Sequence, residues 1–386
     1  MKKDKTYTFS PSTMAKSGEV NQNFDDAMQG INDIITMPMM SILRNGIINS
    51  AMEVWQRAVS FTGATGQRYT ADRWCTFHDS ASSKVERIAT DDANGNYHMR
   101  WSLLAGAVSG CTRRLWQQMP TKHATRYAGK KVTISFRARA GAAYSGTGNA
   151  PGSFPNIYGG QANGLGVALW TGTGADEAFN CSTGFPTGNV LKSNTAVNLT
   201  TSWADYSVVI PTALAAGIKE ICTMIYAPIN PSTAVANDYF DIKDIRINIG
   251  DEPLQFQPKG FLEDLRECLP FYEKSYEYDV VPGTAAAQGG LHISTETTMS
   301  VLNAQRVVMG YQPHWTVEKY KVPTIVPYAL ASGAANQWYY GGAARNASAV
   351  SAGDKKMFWV TNATGGSIST VSGTECHGHW TSEAEL

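Results

Sequence analysis

The chain has 386 residues, of which 43 % are hydrophobic and 10 % aromatic, and these values exclude an intrinsically disordered protein. Its length is enough for two or three domains with their own cores. Only 17 % of the residues are charged, and 32 lysines and arginines balance 32 aspartates and glutamates. Because nucleic acids and anionic membranes are bound through a cationic field, this balance argues against either as a partner. The 36 glycines and 17 tyrosines indicate a turn-rich β protein with a working surface of aromatic and neutral polar groups.

The cysteines and the N-terminal residues bear on the compartment. The six cysteines are scattered and contain no C-x-x-C pair, so we expect reduced, buried thiols instead of disulfides or a zinc site. The first 20 residues have lysines but no apolar stretch, and no run of about 18 apolar residues follows. We therefore expect no signal peptide, no membrane insertion and synthesis in a cytoplasm.

Residues 1–44 are predicted to contain a helix that begins after Ser17 and ends before Pro38. Its apolar residues recur at gaps of 4, 3, 4 and 3, which is the heptad spacing of a coiled coil. These residues are Val20, Phe24, Ala27, Ile31 and Ile34. Such a short helix needs a partner for its apolar face. The partner is either the helix's own domain or the same helix of sister chains.

Residues 45–250 are predicted to form a β-sandwich of jelly-roll type. Apolar and polar residues alternate in 131–140, 204–210 and 239–249, as in strands with one buried face. Residues 141–174 are rich in glycine, serine, alanine and asparagine and indicate long loops between short strands. Several short strands without helical periodicity are typical of a sandwich.

Residues 251–386 are predicted to form a second, C-terminal β-sandwich domain. A short helix is expected over 260–268, and a strand over 271–278 follows it. Further β-type runs lie at 298–309, 323–328 and 356–360.

No catalytic motif for a nucleophile, a nucleotide or a zinc hydrolase is present, and we expect neither an enzyme nor a cofactor. Asp238, Asp241 and Asp244 could line a calcium site, or could be solvated strand and turn residues. His377 and His379 point to the same side of a predicted strand. They could contribute to a metal site shared by three chains, or simply be exposed or hydrogen-bonded histidines.

Aromatic residues are the candidate sugar-binding groups, because sugars stack on aromatic rings while polar neighbours fix their hydroxyls. Trp338, Tyr339 and Tyr340 form the densest cluster, within a run rich in glycine, alanine and asparagine. Tyr158 and Trp170 lie in the glycine-rich region. The alternative for each ring is a place in a core.

Several stretches together resemble the fibre proteins of tailed bacteriophages. The segment 9–25 resembles their N-terminal segment, and Ala-Met-Glu-Val-Trp-Gln-Arg at 51–57 with Tyr-Thr-Ala-Asp-Arg-Trp at 69–74 resembles the opening of their carbohydrate-binding-like jelly roll. The stretches that resemble later strands and the entry to the C-terminal domain are 127–136, 199–203 and 251–276. The resemblance implies that Trp55 and Trp74 are core residues of the jelly roll.

The resemblance implies a homotrimeric virion protein that is attached to other virion proteins through its N-terminus. It favours the coiled-coil interpretation of residues 20–34 and a virion location. It also implies attachment to a host-surface glycan without catalysis. Two alternatives stay open: a purely architectural decoration of the capsid or tail, and a tailspike depolymerase. A depolymerase usually carries a repeating β-helix, and no such repeat is visible in the sequence.

Overall fold

The computed structural model describes residues 45–63, 66–78, 82–92, 96–104, 112–147, 163–228, 235, 238–295, 315–340, 343–346, 349–352, 354–361 and 374–386. The chain divides into two compact units, Met1–Gly46 and Ile47–Leu386. All elements named below belong to the second unit. The predicted helix with Val20, Phe24, Ala27, Ile31 and Ile34 lies outside the described residues, so the helix and its trimer contact stay predictions.

Two antiparallel sheets of six strands each form a β-sandwich. Their strands are, in chain order, β1 (Ser60–Thr62), β2 (Gly66–Tyr69), β3 (Cys75–His78), β4 (Ser83–Ala89), β5 (Tyr97–Leu103), β6 (Thr112–Met119), β7 (Val132–Ala140), β8 (Gly164–Gly172), β9 (Val190–Asn198), β10 (Ala204–Val209), β11 (Glu220–Pro228) and β12 (Tyr239–Ile249). Sheet A has the order β1-β4-β5-β12-β7-β10, and sheet B has the order β2-β3-β6-β11-β8-β9. A short helix α1 (Thr121–Ala124) and a 3-10 turn (Thr125–Tyr127) join β6 to β7.

The main core lies between the two sheets and is built by the predicted alternation. The inward residues of β7 are Val132, Ile134, Phe136 and Ala138, and all are buried in this core. Trp55 and Trp74 are buried there too, with their indole N–H groups donating to the carbonyls of Met52 and Asn49. The mainly β, jelly-roll-type sandwich predicted from the sequence is therefore confirmed.

One central strand lies where the sequence indicated a loop. The glycine-rich region 141–174 contains β8, which pairs with β11 on one side and β9 on the other and is buried along its whole length. Glycine is required at position 166, because a Cβ there would overlap the ring of Tyr226. Glycines thus mark a close approach of a side chain to the backbone here, and not a turn.

The C-terminal residues form a helix and a sheet around one long strand. These elements are α2 (Phe261–Cys268), β13 (Tyr272–Lys274), β14 (Leu291–Thr295), β15 (Thr324–Tyr328), β16 (Gln337–Tyr340), β17 (Ala343–Asn346), β18 (Ala349–Ala352), β19 (Phe358–Thr361) and β20 (Thr374–Glu383). Strand β20 pairs with β13, β14, β15 and β16, while β18 and β19 form a two-stranded sheet.

The predicted elements of this region are confirmed in part. The helix predicted over 260–268 is α2, and the runs at 323–328 and 356–360 correspond to β15 and β19. The strand predicted over 271–278 is only three residues long, because the Nζ of Lys274 donates to the carbonyls of Tyr278 and Val280 and folds the chain back. The run 298–309 lies outside the described residues. The predicted boundary after residue 250 falls between β12 and α2 and stays a prediction.

The last residues of the chain pack against the sandwich through a buried ion pair. Arg73, next to β3, donates to the carboxylate of Glu385 and, over 2.7 Å, to the carbonyl of Gln118. Its guanidinium lies 3.7 Å from the ring centroid of Phe271. Arg57 donates to the other carboxylate oxygen of Glu385 over 3.2 Å. Both cations and their shared carboxylate are thus held where the C-terminal end meets sheet B.

Candidate functional site

The outer face of sheet B, away from the main core, carries a second group of aromatic and polar side chains. The strand registers place these side chains in three rows across the sheet. The first row is Gln67, Phe77, Arg114, Tyr226 and Gly166. The second row is Tyr69, Cys75, Trp116, Met224, Ala168 and Asn194. The third row is Gln118, Cys222, Trp170 and Leu191.

Alternation within β6 builds the middle of this face. Leu115 and Met119 point into the main core, while Arg114, Trp116 and Gln118 point to the outer face. All eight residues of β6 are nevertheless buried, because both faces of the strand are covered. The polar–apolar alternation is therefore weak in the sequence.

The segment 173–189 covers the third row and part of the second. The ring of Phe179 lies 6.3 Å from the ring of Trp116 and 6.1 Å from that of Trp170, measured between centroids. The amide of Gln118 fixes the segment, since its oxygen accepts from Phe179 N–H and its nitrogen donates to the Glu177 carbonyl. This half of the outer face is therefore closed by a second apolar cluster.

The β2 and β3 side of the first row is more open, and we call it the open end, defined by Gln67, Phe77, Arg114 and Ser182. Gln67 is exposed, Phe77 and Ser182 are half-buried, and Arg114 is 7 % exposed. The guanidinium carbon of Arg114 lies 5.1 Å from the ring centroid of Phe77. One of its terminal nitrogens, NH1, donates to Ser182 Oγ over 2.8 Å. The open end thus combines an aromatic ring with polar groups on a rigid sheet.

Side chains below the open end hold it in place. The hydroxyl of Tyr226 hydrogen-bonds to Asn194 Oδ1, and the Tyr226 ring lies over Gly166. Gln67 Nε2 lies 3.9 Å from Cys181 Sγ, which also accepts from Arg114 NH1 over 3.5 Å. An aromatic ring flanked by amide and hydroxyl groups suits the apolar face and the hydroxyls of a sugar ring.

Two of the predicted sugar-binding aromatics, Trp170 and Trp338, are buried. Trp170 is 7 % exposed under the segment 173–189, and Trp338 is 3 % exposed in β16. Phe179 packs on the Trp170 ring and the Trp338 ring packs against Gly378, so neither ring has a face open for stacking on a sugar, and neither is kept in the proposed site. Tyr339 and Tyr340 are residues of β16, and Tyr158 lies outside the described residues. The sugar-binding role of these three tyrosines stays a prediction.

His379 is not available as a metal ligand. Its ring is fully buried, its Nδ1 lies 3.0 Å from Ser275 Oγ, and its Nε2 lies 3.1 Å from the Ala287 carbonyl oxygen. Since the carbonyl accepts, Nε2 carries the proton and Nδ1 is the acceptor. Burial lowers the pKa of this imidazole. His379 is therefore a hydrogen-bonded histidine, which is the second of the two alternatives. His377, two residues earlier, is half-buried and cannot share a metal ion with His379.

The outer face of sheet A carries a network of ion pairs that the sequence did not indicate. Fully buried Asp241 accepts from Arg100 Nε and NH2 over 2.7 and 2.9 Å and from Arg139 Nε over 2.8 Å. His98 Nε2 lies 3.3 Å from the same carboxylate. Burial alone would raise the pKa of Asp241, but these cations outweigh it and lower the pKa to about 2. Trp203 lies over Arg139, 4.8 Å from its guanidinium carbon.

The three aspartates of β12 and its N-terminal flank are buried, so their interpretation as solvated residues is wrong. Asp238 lies 3.3 Å from Arg113 NH2 and accepts from Ser145 N–H over 2.8 Å. Asp244 lies at a bulge of β12 with φ 55°, where burial raises its pKa to about 6. No group of three or more histidine, cysteine, aspartate or glutamate side chains within the described part of the chain is placed to hold a metal ion.

Two expectations about the compartment can be compared with the structure. Cys75, Cys181, Cys222 and Cys268 are free and buried, as predicted. Among the helices that the structure describes, none has the length and apolar character to cross a membrane.

The chain matches no family model, and no curated protein sequence is significantly similar to it. Solved structures do resemble it. The carbohydrate-binding module TmCBM61, solved with β-1,4-galactotriose, is 12 % identical, and the match covers 54 % of this chain and 99 % of that one with a TM-score of 0.29. The CBM22-1 xylan-binding domain from Paenibacillus barcinonensis is 11 % identical over 50 % of this chain and 100 % of that one, with a TM-score of 0.28.

A phage protein is also among these structural neighbours. The enzymatically active domain of tailspike protein 4 from bacteriophage CBA120 is 9 % identical, over 53 % of this chain and 21 % of that one, with a TM-score of 0.30. The neighbours thus include β-sandwich carbohydrate-binding modules and a tailspike domain. What this chain binds is argued below from its own residues.

Proposed function

We propose that the protein is a fibre or spike subunit of a tailed-bacteriophage virion that binds a host-surface polysaccharide and does not cleave it. The observation that carries the proposal is the open end of sheet B, where the Phe77 ring lies opposite Gln67 and beside Arg114, whose NH1 donates to the hydroxyl of Ser182. Stacking and hydrogen bonding to one rigid surface are the two requirements for sugar recognition.

The virion role is supported by the resemblance of residues 9–25, 45–74 and 251–276 to fibre proteins. In this proposal the N-terminal helix makes a homotrimer and joins other virion proteins, while the sandwich faces the host. Sedimentation of the full chain as a trimer is expected, and a stable monomer would contradict this part.

The proposal that the glycan is not cleaved is supported by the lack of acidic residues among those that define the open end. Glycoside hydrolysis uses two carboxyl groups that flank the scissile bond. None of the four residues that define the open end is acidic. Glu177 and Glu220 belong to the covered half, where Glu220 is fully buried and its Oε1 accepts from Glu177 N–H. Release of reducing ends from a capsule by the purified chain would favour the depolymerase alternative instead.

The test is binding of the full chain to a panel of bacterial surface polysaccharides. Phe77→Leu removes the ring and keeps an apolar side chain, and we expect it to weaken binding to the polysaccharide that the chain recognises. Phe61→Leu is the matched control, because Phe61 is a half-buried phenylalanine in β1 of sheet A. If a polysaccharide binds and neither variant changes its binding, the open end is not the glycan site. If no polysaccharide binds and the virion still assembles with the protein, the architectural alternative is favoured.

A further inference from the structure

Arg114 is exceptional among the buried arginines of the described residues. Three arginines are less than one tenth exposed there: Arg73, Arg113 and Arg114. Arg73 pairs with Glu385, and Arg113 lies 3.3 Å from Asp238. No described carboxylate lies within ion-pair distance of Arg114. A buried cation without a counter-charge is costly, so this arrangement calls for an anion from elsewhere.

The donors of Arg114 are only partly used. Its hydrogen bonds to described residues leave from NH1 alone and end on Ser182 Oγ and Cys181 Sγ, which are uncharged acceptors. Its Nε is buried and has no acceptor among the described residues. NH2 makes no hydrogen bond within the described part of the chain and, unlike Nε, is not closed off from solvent, so it is the donor left for a ligand.

Elsewhere in the same chain the guanidinium edge formed by Nε and NH2 binds carboxylates. Arg100 donates from Nε and NH2 to the two oxygens of Asp241 over 2.7 and 2.9 Å. Arg137 donates in the same way to Asp92 over 2.6 and 3.0 Å. A planar carboxylate matches two parallel donors, and such charge-assisted pairs are about twice as strong as neutral hydrogen bonds. Arg114 has no protein carboxylate on this edge, and only its NH2 can be reached by the carboxylate of a ligand, because its Nε is buried.

The position of Arg114 suggests what carries the anion. The guanidinium lies beside the Phe77 ring, in the same cross-strand row as Gln67 and next to Ser182. None of the residues that define the open end is acidic. A ligand that stacks on Phe77 places its substituents within reach of Arg114.

We infer that the glycan bound at the open end is acidic and that Arg114 pairs with the carboxylate of one of its sugar-acid residues. This inference rests on the proposed function, because it needs a glycan at the open end. It makes the charge on the sugar the determinant of specificity, and binding should weaken as salt screens the pair.

The experiment compares acidic polysaccharides with their own neutral derivatives. The full chain is tested by calorimetry against polygalacturonate, hyaluronan and polysialic acid, and against each polymer after reduction of its carboxyl groups. We expect at least one acidic polymer to bind and its reduced derivative to bind much more weakly. Arg114→Gln should weaken binding to the acidic polymer about 10- to 100-fold, the range for losing hydrogen bonds to a charged group.

Two further variants separate charge from geometry and folding. Arg114→Lys keeps the charge but not the planar guanidinium, so its loss of affinity should be intermediate. Arg68→Gln is the control, because Arg68 is a half-buried arginine of the neighbouring strand β2 that lies over Phe61, and it should bind like the parent. The melting temperature of Arg114→Gln should not fall, since an uncompensated cation is removed.

Three results would overturn the inference in different ways. Equal binding of an acidic polymer and its reduced derivative, unaffected by Arg114→Gln but weakened by Phe77→Leu, would refute the acidic ligand and leave the proposed function standing. Inorganic phosphate or acetate that binds as tightly as the polymer would indicate a free-anion site. No binding by any polymer of either panel would refute the proposed function together with the inference.

Discussion

Glu385→Gln tests whether the C-terminal end is held on the sandwich by the buried pair with Arg73. The substitution keeps the size of the side chain and one acceptor oxygen but removes the charge. Arg73 would then have no anionic partner and would keep only neutral ones, among them the Gln118 carbonyl and the Phe271 ring, while Arg57 would keep Asp72 at 3.5 Å. Breaking a buried ion pair costs about 3–5 kcal/mol, and the remaining acceptor puts the expected loss near the lower value, about 3 kcal/mol.

The assay is urea unfolding of the full chain, followed by tryptophan fluorescence, with calorimetry as a second probe. A loss of about 3 kcal/mol in a unit of this size corresponds to a fall in melting temperature of about 5 °C. Glu383→Gln is the matched control, because Glu383 lies 3.7 Å from the same Arg57 but is 46 % exposed. An exposed pair contributes less than about 1 kcal/mol. Equal losses for the two variants, or no loss for Glu385→Gln, would refute the reasoning.

Three further substitutions test burial and packing. Asp264→Asn should raise the free energy of unfolding by about 2 kcal/mol at pH 7. Burial raises the pKa of Asp264 from 3.8 to about 6, so its charged form destabilises the fold as the pH rises between these two values. The gain should vanish at pH 4, and a gain of the same size at both pH values would contradict the cause. Asp241→Asn should cost about 3–5 kcal/mol at pH 7 and less as pH falls towards 2, since its folded pKa of about 2 lies below 3.8. Asp205→Asn, at a carboxylate 83 % exposed, should change stability by less than about 0.5 kcal/mol in the same titration. Gly166→Ala should lower the melting temperature through a cost of about 1–3 kcal/mol, because the new methyl group overlaps the tyrosine ring above it. Gly217→Ala, with no atom within 4 Å of the new Cβ, should melt like the parent, and equal melting of both would argue against the overlap.

The sandwich could be predicted from its half-exposed strands but not from its central ones. β10 alternates between exposed and buried side chains, so its period of two is visible in the sequence. β8 and β11 are buried on both faces, and in β8 three glycines replace the expected branched residues. Glycine is needed at position 166 because the ring of Tyr226, a residue 60 positions later in the chain, lies against it. No local pattern shows such a requirement.

The candidate site was missed because its residues meet only across strands. Phe77, Arg114 and Gln67 become neighbours through the registers of β2, β3 and β6, which a single sequence does not reveal. Trp338 was expected at a surface because glycine and alanine surround it. Its ring instead packs against Gly378, where β20 has no side chain to keep it away. The one available signal was an arginine inside a strand with tryptophan and leucine, since charged residues there are rarely buried without a reason.

The two outer faces of the sandwich differ in whether their cations are paired with protein carboxylates. On sheet A the cations around Asp241 and Asp92 are neutralised by protein carboxylates. On sheet B the buried guanidinium of Arg114 has only uncharged partners among the described residues. The low overall charge predicts a neutral working surface. Composition counts the charges, however, and does not show which of them are paired. A cation without a carboxylate partner among the described residues can decide specificity, because a ligand that brings the counter-charge gains an ion pair that a neutral ligand does not.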